Sequence, residues 1–125
     1  MEITINGNKQ DLNFGLGFVH EANEKWNSEK NGMKINLGVA YVFTAMQTND
    51  IEQLTDIVYL ATSENKPRCS HKDVMHYVDS LSVEEMEELF DQVAKEVDSS
   101  APVQFAVKKI KAAAKEAQRK AKKIK

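Results

Sequence analysis

The sequence predicts an α+β protein, predominantly α-helical: an N-terminal β-hairpin covered by a bundle of about five helices, followed by a long basic C-terminal helix. Three observations predict it. The opening residues alternate polar and apolar around an Asn-Gly pair; most of the remaining chain repeats apolar residues every three or four positions between Ser and Asp starts; and the final stretch is a lysine-rich run without a helix breaker.

Taken in order, Glu2-Ile3-Thr4-Ile5 alternates, and Asn6-Gly7 supplies the two residues that tolerate positive φ in a type I′ turn. The second arm runs from Asn8 to about Phe14, with Leu12 and Phe14 on one face. Two strands alone are marginal in water, so the hairpin needs a cover. Gly15 and Gly17 break the pattern, and Phe18, Val19, Ala22 and Trp26 then recur at helical spacing, making that helix the expected cover. Asn27 to Asn36 is polar with a central Asn-Gly and reads as a loop.

Leu37 to Met46 is apolar on every side and reads as a central helix capped by Asn36. Asn49 or Asp50 starts the next helix, in which Ile51, Leu54, Val58 and Ala61 form the inner stripe while Glu52 and Asp56 face out. Pro67 separates it from a short helix with the capping box Ser70…Asp73 and Val74, Tyr77, Val78 and Leu81 inside. A second capping box, Ser82…Glu85, opens an amphipathic helix with Val83, Met86, Leu89, Phe90, Val93 and Val97 inward.

Ser99, Ser100 and Pro102 mark a new helical start. Beyond them Val103, Val107, Ile110, Ala114, Ala117, Ala121 and Ile124 fall at alternating spacings of four and three, the narrow seam of a coiled coil. The expected organisation is a compact domain over residues 1–98 and a helical extension over 99–125. The seam residues are the candidate partner-binding site, since an alanine-rich stripe has high helix propensity but little area to bury in its own domain. Removing residues 101–125 is accordingly expected to leave a folded body.

The net charge of −2 hides a division along the chain. Residues 1–107 carry 8 basic and 18 acidic side chains, whereas residues 108–125 carry nine basic and one acidic. The acids concentrate at Glu84, Glu85, Glu87, Glu88, Asp91 and Glu96. Such asymmetry marks an interaction tail on a body of opposite sign. Only one arginine, Arg119, and one nearby aromatic, Phe105, accompany the lysines, and the acidic body repels a polyanion, which disfavours nucleic acid as the partner.

Catalytic constellations are missing. No phosphate-binding glycine loop is present; Gly15-x-Gly17 is only a turn fragment. His71 and His76 sit about 140° apart round a helix and do not form a ligand pair, and a single cysteine, Cys69, excludes disulfides within the chain and multi-cysteine zinc sites. Cys69 near His71 is the one candidate nucleophile, without a third group to orient it. We expect no enzyme activity, metal or cofactor. With 125 residues there is room for one core, no apolar run approaches the length that spans a bilayer, and no signal peptide is visible, so the expected setting is a cytoplasm.

The order MEITINGNKQDLNFGLGFVHEANEKW, then DIEQLTDIVYLATSENKPRCSHKDVMHYVDS, then VEEMEELFDQVAKEV resembles the tail assembly chaperones of long-tailed phages and prophages of Gram-positive hosts, over about residues 1–98. The resemblance implies a non-enzymatic protein of the host cytoplasm that binds the long helical tape measure protein, keeps it soluble, helps recruit the tail tube protein and is absent from the mature virion. Self-association is a further expectation. A structural adaptor of the tail or the head-tail junction is the alternative.

Overall fold

The structure is a computed structural model that describes residues 1–124, with the side chains of residues 114 and 122–124 outside the description. The chain runs β1 (Glu2–Ile5), β2 (Asn8–Asp11), α1 (Leu16–Lys25), β3 (Asn27–Lys30), β4 (Met33–Asn36), α2 (Gly38–Ala45), α3 (Ile51–Leu60), α4 (His71–Asp79), α5 (Val83–Ser99) and α6 (Ala101–Ile124). This is the α+β, mostly helical architecture expected from the sequence, with one hairpin more than expected.

β1 and β2 pair antiparallel with Ile5 opposite Asn8, and the turn residues Asn6 and Gly7 take φ of 52° and 77°, as the Asn-Gly pair requires. Ile3, Ile5, Leu12 and Phe14 are buried. The cover differs from expectation. α4 packs on β1, and the connection between α3 and α4 closes on β2, while α1 contributes through Phe18, whose ring meets Phe14 edge-on at 5.0 Å. That connection is fixed by polar groups. Gln10, only 1% exposed, donates to the Pro67 carbonyl at 3.1 Å and accepts from the Cys69 amide at 3.3 Å. Asn65 exchanges two hydrogen bonds with the Asp11 backbone, at 2.8 and 2.9 Å, in the manner of a neighbouring strand. Arg68 makes a bidentate pair with Glu21 of α1, at 2.9 and 3.1 Å, and lies over the Tyr59 ring at 4.2 Å.

Both capping boxes form as read. The Ser70 and Ser82 hydroxyls accept from the amides of Asp73 and Glu85, whose carboxylates return the bond. The Asp73 carboxyl is held below its ordinary value by the Ser70 amide and hydroxyl and then by the Asn6 amide. Asp50 caps α3 through the Gln53 amide.

Two readings are corrected here. Residues 27–36 form a second β-hairpin, not a loop: Asn31 and Gly32 have φ of 54° and 76°, the same turn chemistry as Asn6-Gly7. Asn36 does not cap α2. The helix begins at Gly38, whose amide is taken at 3.0 Å by the Asn23 side chain of α1, a cap supplied from another element.

α2 and α1 approach until their backbones touch. A Cβ on Gly38 would lie 2.4 Å from the Ala22 carbonyl carbon and 2.5 Å from the Asn23 nitrogen, so only glycine fits. Trp26 stacks on Tyr41 at 3.9 Å beside this contact.

α6 starts at a break between Ser99 and Ser100. The Ser100 hydroxyl donates to the Phe14 carbonyl, and Gln104 reaches back to the Val97 carbonyl at 3.2 Å. The helix then packs on α2, α5 and α1, and Val103 and Val107 enter the same core as Ile57, Val74 and Val93.

Two predictions follow from this packing. Truncation after residue 100 removes two buried valines, each contributing about 1.5–3 kcal/mol, and should cost several kcal/mol of the urea-unfolding free energy. Truncation after residue 111 should leave it unchanged, so equal losses from both would place the distal helix in the core. Gly38→Ala should lower stability by at least about 1–3 kcal/mol; an unmoved urea midpoint would show that the contact between α1 and α2 yields freely.

Candidate partner-binding surfaces

β3 and β4 form an arm whose residues are all exposed. Pairing places Ser28 opposite Ile35, Glu29 opposite Lys34 and Lys30 opposite Met33. Strand alternation therefore sorts Met33 and Ile35 onto one face and Lys34 and Asn36 onto the other, and Leu37, just beyond β4, is exposed as well. The polar face is tied to the body by Lys34, which meets Glu24 of α1 at 2.9 Å and holds that carboxyl below its ordinary range. The apolar face is uncovered, with Met33 69% and Ile35 42% exposed. At the root the Leu37 amide donates to the Trp26 carbonyl at 3.0 Å, which hangs the arm between α1 and α2.

The second surface is the distal part of α6. The seam expected to bind a partner divides near Ile110. Val103 and Val107 are buried and Ile110 packs partly against the core, because α2 and α5 occupy that side of the helix; these three are engaged within the chain and are not a free surface. Ala117 and Ala121 are exposed. The side chains of Ala114 and Ile124 lie outside the described residues. Phe105, on the opposite side of α6 from the seam, is 84% exposed. Lys111 sits over the Phe43 ring at 5.9 Å, where α6 leaves α2.

The third surface is a groove of about 180 Å³ between the N-terminal halves of α3 and α5, lined by Ile51, Leu54, Val83, Met86 and Phe90 and bordered by Asp50 and Glu87. Val83, read as inward, is 66% exposed. It occupies the first position of α5, ahead of the turns whose Leu89, Val93 and Val97 are buried.

The groups with chemical potential are arranged differently from a reactive site. Burial pushes the Cys69 thiol above its ordinary value, the reverse of what an activated nucleophile needs. His71 pairs at 2.8 Å with Asp56, which is half-buried between α3 and α4 instead of facing solvent. Among the described residues, no three of His, Cys, Asp and Glu are grouped to hold a metal ion, and no helix is long and apolar enough to cross a membrane.

Sequence reading missed the arm and the groove. The Asn31-Gly32 pair was the available signal for the arm, masked by the polar run Asn27-Ser28-Glu29-Lys30 in its first strand. The groove joins residues from two segments about thirty positions apart and has no local signature.

A helical body with two projecting elements and an open apolar groove is the build of a protein that contacts other macromolecules. The chain belongs to the phage tail assembly chaperone family, described as "Phage tail assembly chaperone protein, TAC", whose sequence profile matches residues 2–111. The match takes in the buried valines of α6 and ends at residue 111, a few residues into the basic segment that begins at Lys108. No curated protein and no solved structure matches the chain.

The Cys69 environment makes a direct prediction. At about pH 8, near the usual thiol value, iodoacetamide should alkylate Cys69 more slowly in the folded chain than in urea. An equal or faster rate in the folded chain would mean an activated thiolate.

Proposed function

We propose that this tail assembly chaperone binds the tape measure protein, keeps it soluble while the tail grows and helps recruit tail tube subunits. The reading places it in the host cytoplasm and outside the finished virion. One observation carries it: among the described residues the arm leaves Met33 and Ile35 exposed on one face, with Leu37 exposed at its root, in a member of a tail chaperone family.

A two-stranded hairpin gains stability from a third layer, and a helical segment laid across its apolar face supplies one. Methionine suits a surface that must accept many helical sequences, since its flexible thioether fits irregular contacts. The small apolar area favours weak contacts that tube subunits can displace, and many copies along one long partner raise the total affinity. The same reading assigns Val103, Val107 and Ile110 to holding α6 on the body. The exposed seam residues Ala117 and Ala121 remain available for a neighbouring protein.

Co-expression with the tape measure protein tests the reading. Met33→Asp with Ile35→Asp, both on exposed positions, should leave the melting temperature within a few degrees and reduce recovery of soluble tape measure protein by about tenfold, as loss of two interface anchors implies. Undiminished recovery would reject the arm as the binding surface. Detection of the chain in purified particles by mass spectrometry would reject the chaperone reading in favour of a tail adaptor.

A further inference from the structure

We propose that the outer edge of β1 takes up, as an added strand, an extended segment of another protein that carries Lys or Arg at every second position. The hydrogen bonds of the hairpin show which groups are open. Along an antiparallel pair, residues that bond across to the partner alternate with residues whose N–H and C=O point outward. The Leu12 amide donates to the Met1 carbonyl at 2.7 Å, and the two-residue turn closes between Ile5 and Asn8, so Met1, Ile3 and Ile5 bond across to the second strand. Glu2 and Thr4 therefore turn their main-chain groups away from β2. Asp11, the partner of Glu2, shows the same alternation from the other side, since its outward N–H and C=O are the ones that Asn65 takes. Asn65 closes the β2 edge as a neighbouring strand would. Among the described residues, no hydrogen bond reaches the main chain of Glu2 or Thr4 from outside the hairpin.

The open edge borders a groove of about 330 Å³, lined by the consecutive residues Glu2 to Thr4 and, across from them, by Tyr77 of α4 and Glu85, Glu88 and Gln92 of α5. No residue of β2 lines it, which places it on the free side of β1. Donors and acceptors open at every second residue match an extended chain and not a helix, whose own main-chain groups are satisfied internally. Charge selects the sequence of that chain. Glu2, Glu85 and Glu88 are exposed, the lining holds no basic group, and none of the three acids is in an ion pair among the described residues.

Residues directly opposite each other on paired strands share a face. The guest residues bonded to Glu2 and Thr4 thus set their side chains beside the Glu2 carboxylate, and these are the positions for Lys or Arg. The residues between them turn toward Tyr77 and Gln92, where a small polar side chain such as threonine fits. The chain itself supplies no such strand: β1 of a second copy would bring one Glu2 against another, and the basic segment from Lys108 is helical through Ile124. The edge belongs to a different hairpin from the arm and takes extended chain, so its failure leaves the tape measure reading standing.

Nuclear magnetic resonance of the full chain tests it, with an acetylated, amidated hexapeptide alternating lysine and threonine as the probe. The peptide is added at about 0.01 M salt, where charges are weakly screened, up to about 1 mM, at which a site of millimolar Kd is half filled. The Glu2 and Thr4 amide signals should move and their hydrogen exchange should slow as the site fills. N-methylation of the peptide at its lysines should abolish both effects, whereas N-methylation at its threonines should preserve them. Thr4→Pro, which removes one outward N–H from an edge strand where proline is tolerated, should abolish binding while keeping a cooperative melt. Glu2→Lys with Glu88→Lys, both on exposed positions, should weaken binding about tenfold. Unmoved Glu2 and Thr4 amides at the top of the titration would overturn the proposal. So would equal binding of the two methylated peptides, which would mean charge attraction alone. A free chain that sediments as a dimer with Glu2 and Thr4 already protected would put a second copy on the edge and overturn it as well.

Discussion

Gly38 lets the first turn of α2 lie directly on the backbone of Ala22 and Asn23, and the β3–β4 arm takes its direction from that contact. α1 and α2 are joined by the β3–β4 arm. Holding their facing ends backbone to backbone fixes the two roots of the hairpin, Trp26 and Leu37, side by side. The Asn23 cap on Gly38 and the stack of Trp26 on Tyr41 close the same junction from two sides. A side chain at residue 38 would push the helices apart, since backbone atoms at 2.4–2.7 Å have nowhere to move. α6 packs on both of these helices, so its line depends on the same junction.

The molecule divides its apolar surface between internal and external use with a sharp change along one helix. Within α6 the larger seam residues, Val103 and Val107, face α2, α5 and α1 and are buried, whereas Ala117 and Ala121 are exposed. A buried valine carries two more carbons than a buried alanine, each worth about 0.8 kcal/mol, so the gradient of side-chain size is also a gradient of commitment. The arm shows the same economy of contact in β form, one face tied down by Lys34 and Glu24 and the other carrying Met33 and Ile35 into solvent.

Local chemistry was legible in the sequence wherever the partner of a group lay within a few residues. Asn6-Gly7 identified a turn, and Ser70…Asp73 and Ser82…Glu85 identified helix starts, because both devices close over three or four positions. The second Asn-Gly pair carried the same signal as the first, but its leading strand holds no apolar residue, and without alternation the segment read as a loop. The cap of α2 was misread because the true acceptor, Asn23, stands fifteen positions away. For the candidate site, the repeat from Val103 onward marks an apolar stripe along one helix. Periodicity reports that a face is apolar and is silent on whether the chain itself covers that face.

By itself the sequence determined the helical character of the chain, its turns and caps, the separation of charge between body and tail, and the family to which the resemblance pointed. These are properties of short segments and of composition, fixed by backbone sterics and by neighbours along the chain. Only the tertiary structure decided that Val103 and Val107 belong to the core, that Met33 and Ile35 stand free on an arm, and that Ile51, Val83 and Phe90 meet in one groove. Burial depends on what lies across a helix or a strand, and residues distant in sequence supply that neighbour.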